Sequence, residues 1–145
     1  MRVDFYQLTH GSPERALALI ARAAFRQGER LLVVSDDPLH LTRIGDALWS
    51  EFPDSFLAHG LADGGDAALQ PILLSREPVP ANGARFMVLA DGRWREGDPA
   101  FERTFMLFGA ATLDAARQCW TMLGAREGTE RRFWKQQNGK WVEGP

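Results

Sequence analysis

"VDFYQLTHGSPERALALIARAAFRQGERLLVVSDDP", residues 3–38, carries the reading that decides the fold. Val3 to Leu8 mixes β-branched and aromatic residues over a strand's length. Ser12 can cap a helix, Pro13 suits its first turn, and Glu14 favours its positive end. Leu17, Ile20, Ala21 and Ala24 then fall on one helical face, and Gly28 stops the helix. "LLVV", residues 31–34, is continuously apolar, as a strand covered on both faces should be. Asp37 before Pro38 repeats the helix-start signature, and Leu41, Ile44 and Leu48 line the next apolar side. Strand, helix, strand, helix at this spacing predicts a three-layer α/β fold, Rossmann-like, with a largely parallel central sheet flanked by helices.

Outward from that stretch, "PILLS" (71–75), "ARFMVLA" (84–90) and "RTFMLF" (103–108) read as further strands. The glycines between Gly60 and Asp66, and "EPVPANG", mark loops. A helix runs from about Thr112. The C-terminal "RRFWKQQNGKWVEG" reads as a hairpin turning at Asn138-Gly139, which sets Gln136 opposite Trp141 and puts Trp134 diagonal to Trp141. No repeat, low-complexity tract or linker divides the chain, so residues 1–145 are expected to form one domain.

Composition excludes several function classes. With 45% apolar and 25% charged residues the chain is globular rather than disordered. Its net charge of -2 argues against gripping nucleic acid over a whole face. From Ala115 onward, six bases (Arg117, Arg126, Arg131, Arg132, Lys135, Lys140) meet three acids (Glu127, Glu130, Glu143), giving +3 there and -5 before it. One cysteine, Cys119, cannot form an internal disulfide, and no signal peptide or membrane span is apparent. A cytoplasmic protein that does not enter a membrane is expected.

A search for chemistry finds little. The turn "THGSPER" (9–15) lacks both GxxxxGK[ST] and GxGxxG, so no backbone cradle for a phosphate is expected there. His10, His40 and His59 show no helical zinc spacing, and Cys119 has no second thiol near it. A Cys119–His dyad stays open, because catalytic partners need only meet in space. No GxSxG occurs. Neither metal nor cofactor is expected.

What remains is aromatic and basic. Leu113, Arg117, Trp120 and Thr121 share one helical face, where an arginine could hold a carboxylate while the ring packs an apolar side chain. Core packing of Trp120 beside a solvated Arg117 is the alternative. Trp49, Phe52 and Phe56 form a second cluster, open to the same two readings.

"FYQL", "GERLLVVSDD", "RIGDALWSEFPDSFLAHGLADGG" and "AARQCW" together resemble, in order and over nearly the whole chain, the chi-subunit family of bacterial DNA polymerase III holoenzyme. Its most specific block is Arg43 to Gly65. The resemblance implies a Rossmann-like accessory protein in DNA replication, without a catalytic centre or cofactor. Such a protein pairs with the psi subunit or another clamp-loader component and captures the acidic C-terminal tail of single-stranded-DNA-binding protein. Contact with DNA is then indirect. It implies that Arg117 anchors the tail's terminal carboxylate, with Trp120, Leu113, Thr121 and Trp49 lining the pocket. Thr121 stands where the family often has another basic residue. Phe56, Leu57 and His59 fall in the segment that faces psi. Two rival readings are a small α/β nucleotide-binding enzyme and a direct single-strand binder stacking bases on Trp134 and Trp141 beside Arg131, Arg132 and Lys135.

Overall fold

A computed structural model describes residues 1–9, 12–137 and 140–144. His10 and the Asn138-Gly139 turn lie outside the described residues. Strand β1 is Arg2–Gln7 and helix α1 is Pro13–Arg26. The Ser12 side chain accepts a hydrogen bond from the Arg15 N–H at 3.1 Å, with Pro13 at the first helical position, as the sequence suggests. Next come β2 (Leu31–Val34) and α2 (Pro38–Ser50), the latter capped by Asp37, which accepts from the Leu39 N–H at 2.9 Å. The chain continues through β3 (His59–Leu61), β4 (Ile72–Ser75), β5 (Phe86–Leu89) and β6 (Arg103–Phe108). It ends with α3 (Leu113–Gly124), β7 (Glu130–Gln137) and β8 (Lys140–Glu143).

Among the described residues these strands make one eight-stranded sheet, ordered β3-β4-β2-β5-β6-β1-β7-β8. Every neighbouring pair is parallel except β7 and β8, which form an antiparallel hairpin with Gln136 opposite Trp141. Alternation along β2 explains its unbroken apolar run. Leu31 and Val33 pack with Leu17, Ile20, Leu41, Ile44 and Leu48 of α1 and α2. Leu32 and Val34 pack on the opposite face with Ala116, Cys119 and Leu123 of α3. Two apolar layers thus lie on either side of the sheet, and this division separates the candidate sites.

The sequence reads residues 60–66 as loop, but His59–Leu61 forms a short edge strand on β4. A Cβ at Gly60 would stand 2.8 Å from the Gln70 side chain, which lies across this strand and would have to shift. A three-residue strand with glycine at its centre has too few side chains to show a pattern.

Asp4, in mid-β1, is fully buried. It accepts from Arg2 (Nη2 2.9 Å), from Arg103 (Nε 2.7 Å) and from the Trp134 indole (Nε1 2.9 Å), joining β1, β6 and β7 through one carboxylate. Beside it the Tyr6 ring meets Trp134 at 6.1 Å and Trp141 at 4.9 Å between centroids. The hairpin tryptophans therefore share a face, as their spacing predicts, and pack down onto Tyr6. Arg131 lies on the other face and Arg132 pairs with Glu130, so the basic residues do not line the tryptophan face together.

Candidate functional site

The first site is a groove of about 430 Å³ between α3 and the sheet. Phe5, Phe108 and Phe133, from adjacent strands β1, β6 and β7, form its floor. Leu113, Ala116, Arg117, Trp120 and Thr121 form the helical wall, so four of the residues grouped by sequence on one face of α3 do meet in one place. Trp120 is half-buried: its ring meets Phe5 edge-on at 5.2 Å and Phe133 at 6.5 Å, while still lining the groove. Packing and lining are therefore not alternatives for this residue. Arg117 is exposed and has no ion-pair partner among the described residues, although most arginines of the chain have one. Among the described residues no acid lines the groove.

The floor phenylalanines escape a helix-by-helix reading, because they come from three strands far apart in sequence. Arg131 is a further group that sequence spacing leaves out. Its guanidinium lies 4.1 Å over the Trp120 ring, and its Nη1 donates to the Trp120 carbonyl at 2.7 Å. The period of two in β7, which puts Arg131 on the same face as Phe133, is the signal that could have found it.

Trp49 is not in this groove. It belongs to α2, which packs on the opposite face of the sheet from α3. Its neighbours are Phe56 at 5.5 Å and His59 at 4.6 Å between ring centres. Together these three residues form a second site, an aromatic patch at the β3 edge. Trp49 is 48% exposed and Phe56 69%. Phe52, which sequence groups with them, instead lies under the Arg22 guanidinium at 3.8 Å and against the α1 core.

Leu57 also leaves the expected interface. It is completely buried among Ile44, Leu48 and Ile72, so it is a core residue and cannot meet a partner. The backbone explains how neighbours diverge. Phe56 has φ 46°, a left-handed conformation that is strained for a bulky side chain. That turn sends Phe56 outward and Leu57 inward, and His59 Nδ1 donates to the Leu57 carbonyl at 3.0 Å to hold it.

The nucleophile candidates resolve into packing. Cys119 is buried, and burial, helped by the Glu96 charge, pushes its thiol up to about 11, away from the thiolate a nucleophile requires. His40 Nδ1 sits 2.9 Å from the Ser35 Oγ and its Nε2 3.9 Å from Glu14. Ser35 is fully buried and its oxygen also accepts the Asp37 N–H, so this line ties α1 and α2 to the end of β2. Among the described residues no cluster of three or more His, Cys, Asp or Glu could hold a metal, and no helix is long and apolar enough to cross a membrane.

A search of curated proteins returned no match. A family model described as DNA polymerase III chi subunit, HolC, matches residues 1–130, a span that takes in both the patch and the helical wall of the groove. The chain belongs to the chi-subunit family of DNA polymerase III, a replication accessory family.

Proposed function

We propose that this chi-family protein joins the clamp loader to single-stranded-DNA-binding protein by holding the acidic C-terminal tail of that protein in the α3 groove. The observation that carries the reading is Arg117: an exposed cation on the rim of an apolar groove, where among the described residues neither an ion-pair partner for it nor an acid in the lining is found. That combination suits a peptide ending in an apolar side chain and a free carboxylate, with the carboxylate at the guanidinium and the side chain over Phe5, Phe108 and Phe133. DNA is then reached through its coating protein, in keeping with the net charge of -2.

The test is fluorescence anisotropy with a labelled peptide bearing that acidic C-terminus. Saturable binding is expected, weakening as salt rises from about 50 to about 500 mM because steering and attraction between exposed charges are screened. Absence of binding at low salt overturns the reading.

The Trp49, Phe56 and His59 patch supplies the second contact, toward psi or another clamp-loader component. An exposed aromatic pair on a strained turn is the feature that favours it, since strain of this kind is retained where a site needs it. Phe56→Gly relieves the left-handed strain while removing the ring. The variant is expected to keep or slightly raise the melting temperature and to lose partner binding by at least about tenfold in calorimetric titration, on the scale of an interface hot spot. Undiminished binding would take the patch out of the interface.

A further inference from the structure

A second cavity, of about 220 Å³, opens on the α3 face of the sheet under the connection from β5 to β6. It shares no lining residue with the α3 groove among the described ones. Its deepest polar group belongs to Thr104 of β6, which is 1% exposed and stands between Val3 of β1 and Met87 of β5 in the parallel register. Thr104 Oγ1 is buried and, among the described residues, meets no hydrogen-bond partner. A hydroxyl left dry in this way costs stability, and valine would suit the same strand position without that cost. Folded proteins keep few such groups, so this one asks for a partner from outside the chain. The other buried walls, Met87 and Phe101, are apolar, and Trp94 continues that surface outward. A lone water needs two to four polar neighbours, and Met87 and Phe101 offer it none. At the mouth Glu96 is held by Arg126 at 2.7 Å and by the Trp94 indole at 3.1 Å, so that pair of charges is already matched. Gly97 brings the connection down onto both buried walls: a Cβ there would stand 2.7 Å from the Phe101 ring and 3.1 Å from Met87 Cε.

We propose that this cavity binds a small neutral molecule built of one aromatic ring bearing one hydroxyl, with Thr104 as its polar anchor. Size sets the single ring: a cavity of about 150 Å³ takes benzene, and drug-sized ligands need about 300 Å³ or more. The walls set its character, since the Met87 thioether and the Trp94 and Phe101 rings offer sulfur–aromatic and edge-to-face contacts. Thr104 sets the single polar group, because its hydroxyl can donate to or accept from a ligand hydroxyl. Neutrality follows from the apolar depth, where a charged group would shed its water without a counter-charge. Asp98 on the rim adds repulsion against an anion. The site stands apart from tail capture and does not depend on it.

The experiment titrates the full chain with phenol, toluene and benzoate, following the Trp94 indole and the Gly97 amide by NMR. In the wild type, millimolar phenol is expected to shift both signals saturably, and benzoate to shift neither. Thr104→Val removes the hydroxyl and keeps the side chain's shape. In that variant phenol should bind about fivefold more weakly, the size of one hydrogen bond, while toluene binds as well or better. Without ligand, Thr104→Val should also raise the midpoint of urea unfolding, because an orphaned hydroxyl has gone. A lowered midpoint would mean that water already satisfies the hydroxyl, and that result overturns the inference. Equal phenol affinity in wild type and Thr104→Val overturns Thr104 as the anchor. Phenol that shifts the Trp120 indole and leaves Trp94 still has entered the α3 groove instead, and it overturns the site, as does the absence of any saturable shift.

Discussion

Replacing Asp4 by alanine is expected to lower the free energy of unfolding by about 3 kcal/mol, the lower end of what breaking a buried ion pair costs. The carboxylate is fully buried and accepts from two arginines and one indole on three strands. Burial alone would raise its pKa, but the hydrogen bonds from Arg2, Arg103 and Trp134, with the Arg103 charge, outweigh it and hold the group below the usual carboxylate range. Its partners Arg2 and Arg103 keep about a quarter of their side-chain surface in water, so they can resolvate when the acid is gone, which favours the smaller figure. The sign of the pH dependence follows from the depressed value. Asp4 contributes its full stability above the unfolded pKa of about 3.9, and the contribution fades as pH falls from there through the lower folded pKa. Urea denaturation of wild type and Asp4→Asn at several pH values should give a constant gap from about pH 7 to about pH 5, closing below about pH 4. Identical midpoints at neutral pH would mean that the carboxylate does not hold the three strands together.

How much of this molecule can be read from the chain depends on the range of the interaction. Ser12, Pro13 and Asp37 announce their helices locally, and the unbroken "LLVV" announces a strand covered twice; both readings survive because cap chemistry and burial on two faces are local signals. Arg117, Trp120, Leu113 and Thr121 could be grouped because helical spacing places them together. The resemblance puts Trp49 in the pocket with Arg117, but nothing in its sequence neighbourhood says which face of the sheet α2 will cover. The resemblance places Leu57 with Phe56 in the segment that faces psi, yet Leu57 is buried while Phe56 is exposed. The pair is split by a single backbone dihedral, which residue types alone do not reveal for a phenylalanine. Asp4 carries no local sign at all: its partners stand at positions 2, 103 and 134, and only the parallel register of β1 with β6 and β7 unites them.

That same register underlies the second large effect. Arg117→Ala is expected to weaken binding of a free-carboxylate tail peptide by about 1.5–3 kcal/mol, the range for a hydrogen bond to a charged group, or roughly ten- to a hundredfold in Kd. The fold should be unaffected, because Arg117 is exposed and forms no ion pair among the described residues. The apolar floor from β1, β6 and β7 stays in place, so residual affinity comes from the terminal side chain over Phe5, Phe108 and Phe133. Amidating the peptide removes the other half of the same contact and should cost a similar amount. The informative quantity is the combination. If guanidinium and carboxylate meet directly, Arg117→Ala and the wild type should bind the amidated peptide almost equally, so the two losses do not add. Losses that add in full would mean that each group acts through something else, with Arg117 raising the local potential and the carboxylate held elsewhere. Equal affinity of wild type and Arg117→Ala for the free-carboxylate peptide would remove Arg117 from the site, leaving the aromatic groove to hold the tail by its apolar end.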